Sequence, residues 1–352
     1  MQDWLLESKK IQALDTAWRA KARERLRVQT RPEGSLGVLE RLLERLVAIQ
    51  KKDRPQIARK RILIFAADHG IAAEGVSLYP SDVTRAMVLN FLNGGATINA
   101  LARGLAAEVR VVDVGVHGDF GADPRLIHAK VRASTRNMLD EPAMTVQEFD
   151  QALRTGWDLA CAAREDGVEL LALGEMGIAN TTAASAVIAA ITRAPVESVT
   201  GRGTGLGPEA LAHKIRVIEK ALQRHSDCLE DPIKALQCLG GFELAAMTGA
   251  MLGAARSGLG VVVDGWIVSA SVLAAMRINP HVLDYLFFAH QSEEKGHRFI
   301  LQAFEAEPIL NLSMRLGEAS GAALAMGILD AAVRVYNEVA TFSEAGVSGR
   351  NA

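Results

Sequence analysis

Aromatic side chains are scarce in this chain of 352 residues: Phe, Trp and Tyr make up 5% of it, although nearly half the residues are hydrophobic. A core must therefore be built from Ala, Leu, Val and Ile, and a chain of this length can bury one without covalent staples. Cysteine is nearly absent. Cys161, Cys228 and Cys238 are odd in number and lack CxxC spacing, which excludes a disulfide scaffold and predicts a reduced, cytoplasmic protein. An excess of either charge is missing too. Lys and Arg number 39 against 41 Asp and Glu, a formal net charge of −2, so the basic face that a nucleic-acid partner requires is not expected. No apolar run approaches the ~18–20 residues of a membrane span. The opening MQDWLLESKK mixes acids and bases where a secretory signal needs an uninterrupted apolar stretch.

What is present is alternation. Residues 1–60 repeat Leu and Ile at helical spacing, interrupted by RPEGSLG (Arg31–Gly37), which reads either as an interhelical turn or as a working loop. RILIFAADHG then places a buried apolar run before Asp68, His69 and Gly70. VRVVDVGVHG, VELLALGEMG and LGVVVDGW repeat the pattern, with Ala-rich amphipathic segments between them. Strands alternating with helices predict a doubly wound, mainly parallel α/β sheet whose ligands bind beyond the carboxyl ends of the strands. The stretch after Pro308 is helical again. Helical ends around an α/β body predict a small helical domain from residues 1–58 and 315–352, beside a large domain of residues 59–314.

Three segments could carry chemistry. LALGEMGIANTTAASAVIAAI runs a strand into Gly174, Glu175 and Gly177 and opens a helix near Asn180, Thr181 and Thr182. Glycines, hydroxyls and a helix N-terminus suit a phosphate, although an Asn/Thr cap after a tight turn explains the same residues. TGRGTGLG (Thr200–Gly207) mimics a dinucleotide fingerprint but follows no apolar strand, so an oxidoreductase is disfavoured. It reads as a loop able to close over phosphate or ribose, with Lys214 as charge partner or as a solvated helix residue. In MRLGEASGAALAMGILDAA, Glu318 is flanked by Gly317 and small residues. Poor solvation there would raise its pKa and suit a general base, while dipole compensation in a first helical turn is the plain alternative. His69 reads as a loop histidine lining the cleft. No second His or Cys stands at metal-ligand spacing, and no metal is expected.

The order RPEGSLG, AADHGIAAEGVS, VDVGV, GEMGIANTTAASA, CLGGFELAAMTGAMLGAARSGL, VVDGW, SEEKG and MRLGEASGAALAM resembles the nicotinate mononucleotide:5,6-dimethylbenzimidazole phosphoribosyltransferase family over nearly the whole chain. The resemblance implies a Rossmann-like sheet and a dimer whose partner chain borders the site. It also implies 5-phosphoribosyl transfer from nicotinate mononucleotide to an aromatic acceptor with β-to-α inversion, needing no metal or redox cofactor. Glu318 matches the base and Glu175 a second carboxylate near the ribose. Gly174, Gly177, Ile178, Ala179, Asn180, Thr181 and Thr182, with Gly203 and Lys214, match the phosphate and ribose site. The acceptor pocket would be lined by Tyr79, Ser81, Met87 and Met176. Tyr79 and Met87 stand where members using dimethylbenzimidazole tend to have serine and glutamine, and Met176 replaces a common leucine. These departures imply a bulkier, thioether-lined pocket of the phenol- or p-cresol-activating branch, in which two paralogous subunits form a heterodimer. Dimethylbenzimidazole is the alternative acceptor. A non-catalytic paralogue completing a partner's site is a further alternative, against which the presence of Glu175 and Glu318 argues.

Overall fold

The computed structural model describes residues 3–203 and 205–348. Six parallel strands form one sheet in the order β3-β2-β1-β4-β5-β6, with β1 at Lys60–Ala67, β2 at Ala107–Gly115 and β3 at Leu126–His128. β4 spans Leu170–Met176, β5 Gly260–Val263 and β6 Leu286–Phe288. The order reverses between β1 and β4. Crossovers on either side of that pair leave a crevice at their carboxyl ends, which is where such sheets take ligands.

Strand alternation divides the apolar residues between two cores. Leu63, Phe65 and Ala67 of β1 face one core with Leu171 and Leu173 of β4, under the helices Val146–Glu165, Asn180–Thr192, Phe242–Arg256 and Trp266–Ile278. Ile62, Ile64 and Ala66 face the other, under the helices Thr16–Arg27, Val38–Gln50, Asp82–Leu92, Thr97–Gly104 and Ser320–Glu338. The helix Phe242–Arg256 is buried on nearly every side by Ala, Gly, Met and Leu, so helices approach closely without aromatic spacers. This accounts for the low aromatic content.

The segment after the helix Thr16–Arg27 meets the end of the helix Ser320–Glu338. The Gln29 side-chain amide donates to the carbonyls of Val335, Tyr336 and Val339, and Gln29 bridges to Thr341. The helix Asp3–Ser8 departs from this group: Trp4 belongs to the opposite core and donates its indole N–H to Asp150 at 2.8 Å. Among the described residues no helix is long and apolar enough to cross a membrane.

Candidate active site

A cavity of about 560 Å³ lies beyond the ends of β4 and β5, bounded by Glu175, Met176 and Gly177 on one side and by Asp264 and Trp266 on another. The turn Arg315–Glu318 forms a third wall and Tyr79, Met87 and Asn90 a fourth. A smaller recess of about 30 Å³ adjoins it, sharing Gly177, Thr181 and Gly203 and adding Ala179, Arg202 and Lys214.

Carboxylates dominate the large cavity. Glu175, at the end of β4, is 5% exposed and accepts from the Asn180 side-chain amide. Burial drives its pKa up to about 8, and the charges of Asp264, Glu243 and Glu318 add to the rise. Glu318 is 8% exposed, and burial followed by the Asp264 charge lifts its pKa to about 7. Asp264 follows β5 and accepts the Ala322 N–H at 2.8 Å. Burial raises its pKa while His290 and the N–H groups of the helix Ser320–Glu338 oppose the rise.

Cations occupy the recess. Lys214 is 1% exposed and donates to Thr181 Oγ1 at 2.8 Å. Burial lowers its pKa to about 8, resisted by Glu294. Arg202 and Gly203 close the recess, and a side chain at 203 would stand 3.1 Å from Thr181 Oγ1. A buried ammonium beside a hydroxyl and a helix N-terminus is a pre-built host for a small anion.

The structure brings Glu175, Met176, Gly177, Ile178, Asn180, Thr181, Gly203, Glu318, Tyr79 and Met87 to the large cavity and Ala179 and Lys214 to the recess. Three expected residues stand elsewhere. Gly174 lies inside β4, where the Ala319 backbone crosses it; a Cβ there would meet Ala319 N at 2.5 Å. Its contribution is that close passage, not contact with a ligand. Thr182 is fully buried within its helix, and Ser81 lines neither space, its carbonyl accepting the Thr84 N–H. Ile178 lines both spaces, but its N–H is already taken by Thr84 Oγ1 at 3.1 Å. His69 is also not a cleft residue. It is buried, its Nε2 2.9 Å from Glu243 Oε1, a partner 174 positions away. Sequence reading missed Asp264, Asn90 and Thr84, for which a strand ending in Asp264-Gly265 was the one local signal; Arg202 lies in the glycine-rich loop expected to close over the phosphate.

Comparison with known proteins agrees with this geometry. A family model described as phosphoribosyltransferase matches residues 11–347. A nicotinate-nucleotide–dimethylbenzimidazole phosphoribosyltransferase of Geobacter sulfurreducens is 52% identical over 339 residues, 96% of each chain. One of Chlorobaculum tepidum is 50% identical over 322 residues, 92% of this chain and 91% of its own. The crystal structure of CobT from Thermus thermophilus superposes with a TM-score of 0.89 at 44% identity, covering 94% of this chain and 99% of that one. With a switch-point cavity walled by the conforming motifs and similarity along almost its entire length, the chain belongs to the nicotinate-nucleotide–dimethylbenzimidazole phosphoribosyltransferase family.

Proposed function

We propose that the chain transfers 5-phosphoribose from nicotinate mononucleotide to 5,6-dimethylbenzimidazole, inverting the anomeric carbon, in making the lower ligand of a cobamide. The observation that carries this reading is the opposite polarity of the two adjoining spaces. A recess with Lys214, Arg202 and Thr181 suits the 5′-phosphate, and three buried carboxylates, Glu175, Asp264 and Glu318, face the space where a ribosyl-pyridinium would lie. An ionised carboxylate there favours both a pyridinium cation and an oxocarbenium-like transition state; near neutral pH Glu318, at about 7, supplies that charge more readily than Glu175, at about 8.

The chemistry needs one proton acceptor. Nicotinate leaves with the electron pair of its C1′–N bond and becomes a neutral pyridine ring, so no general acid is required. An acceptor ring nitrogen forms the new C1′–N bond from the opposite face. Its other nitrogen then sheds a proton, which Glu318 takes. A carboxylate with a pKa of about 7 is matched to that task near neutral pH. Grip on the phosphate spends remote binding energy on aligning C1′.

Dimethylbenzimidazole is preferred here to phenol or p-cresol. Tyr79 is 52% exposed and borders the cavity only at its rim, and the cavity retains the Asn90 amide as a polar partner for a ring nitrogen. Relatives at half identity over nearly the full chain carry the benzimidazole name. Leu78, Leu312 and Leu316 are exposed like Tyr79, and Tyr79 and Leu316 border the cavity. That apolar rim supports a second copy of the chain closing the site. Purified protein given nicotinate mononucleotide with equal dimethylbenzimidazole and p-cresol should release nicotinate and form the benzimidazole α-ribotide. A product from p-cresol alone would overturn the acceptor. No nicotinate release with either would overturn the reaction and favour a non-catalytic paralogue.

A further inference from the structure

We propose that Asp264 is a positioning residue, which holds the Glu318 turn in working geometry by capping, across the sheet, the helix that follows it. The inference rests on the reading of Glu318 as the base.

Gly317, Glu318 and Ala319 have φ of 85°, 60° and 61°, three consecutive left-handed residues, two of them with side chains that disfavour the conformation. Such a turn persists only where its surroundings over-determine it. The helix Ser320–Glu338 opens on Ala319, which has no side chain able to cap it. Asp264, 58 positions earlier, supplies the missing acceptor through its bond to the Ala322 N–H, while Gly174 admits the Ala319 backbone from beneath. That bond commits Asp264 Oδ1 to the helix, and through the helix Asp264 acts on the Glu318 turn. The charged or titratable groups around the base are Glu175 from the end of β4, Asp264 after β5, His290 after β6, and Glu294 and Arg315 along the cavity wall. His290 Nδ1 lies 3.8 Å from Asp264 Oδ1.

Asp264→Ala removes both acceptor and charge; Asp264→Asn removes only the charge and keeps an oxygen for Ala322. The alanine variant should lose roughly tenfold to a hundredfold in kcat, the scale of a small misplacement of a reacting group, with KM for nicotinate mononucleotide nearly unchanged. Asparagine should restore most of kcat. In both variants the Glu318 carboxyl, followed by carbon NMR and assigned through Glu318→Gln, should titrate below the native value of about 7. Loss of the Asp264 charge lowers that midpoint in both variants, so the gap in kcat between alanine and asparagine isolates the lost cap, and a merely structural role would lower melting temperature while leaving kcat of the folded protein native. An alanine variant with native kcat, or an unmoved midpoint in both, overturns the proposal. Absence of turnover in the unmodified protein would instead sink the reaction, and the carboxyl titration would still decide the role of Asp264. Should neither variant fold, the native Ala322 amide decides: its shift should follow the Asp264 titration and its exchange quicken as that carboxylate is protonated, and an indifferent amide overturns the clamp.

Discussion

Two helices of the site each open on a left-handed alanine. Gly177-Ile178-Ala179-Asn180 leads into the helix Asn180–Thr192, and Gly317-Glu318-Ala319-Ser320 into the helix Ser320–Glu338. Ala179 and Ala319 are both left-handed, with φ of 72° and 61°, and neither can cap its helix. The first turn borders the recess lined by Lys214 and Thr181. The second is filled, because Asp264 already sits on its N–H groups. A helix N-terminus serves as a ligand site only where the protein supplies no anion of its own. Where it does, the same turn becomes a mount for a side chain, here Glu318.

The sharpest test of this division removes the mounted group. Glu318→Gln keeps size and removes the base, and kcat should fall by roughly 10²–10⁴ while KM for nicotinate mononucleotide stays near native. In the unmodified enzyme kcat should decline below about pH 7, as Glu318 is protonated. Lys214→Met attacks the other turn. Losing a charge-assisted contact of about 1.5–3 kcal/mol should raise KM for nicotinate mononucleotide roughly ten- to a hundredfold, with a smaller change in kcat. If both variants altered kcat and KM alike, the two turns would not be functionally separate. Gly174→Ala is milder: its methyl would press on Ala319, costing about 1–3 kcal/mol in a denaturant melt and displacing Glu318.

The sequence revealed the fold through four strands of 4–9 residues, three of them carrying a continuous apolar run and β2 a valine-rich one broken by Arg110 and Asp113. β3 and β6 have three residues each, too few for any pattern to register. Glu175 and Glu318 were legible because glycines flank them. Asp264 and His69 were not, because what they do depends on Ala322, 58 positions away, and on Glu243, 174 away. Thr182 misled because it is adjacent in sequence to real lining residues. A helix turns ~100° per residue, so Thr181 faces Lys214 while Thr182 faces the core. The acceptor was the least legible feature, since Tyr79 reads as a wall until its exposure at the rim is seen.

The smallest expected effect separates the turns by pH. Glu175 and Glu318 have ordinary values of 4.5 and hold their protons to about 8 and about 7 in the folded chain. Between the unfolded and folded values the native state binds more protons than the unfolded one, so stability falls as pH rises. Lys214 has the opposite sign. Its pKa falls from 10.5 to about 8, so the native state sheds that proton first and its contribution improves above about pH 8. Melting temperature should therefore decline from about pH 5 to about pH 8 and recover beyond it. Glu318→Gln removes one of the carboxylates behind the decline and should make it shallower by a few degrees, leaving the Lys214 limb in place. Lys214→Met should do the reverse, leaving the decline and abolishing the recovery. Were each substitution to change both limbs, the carboxylates and the ammonium would share one electrostatic site, and the opposite polarity inferred for the two turns would be lost.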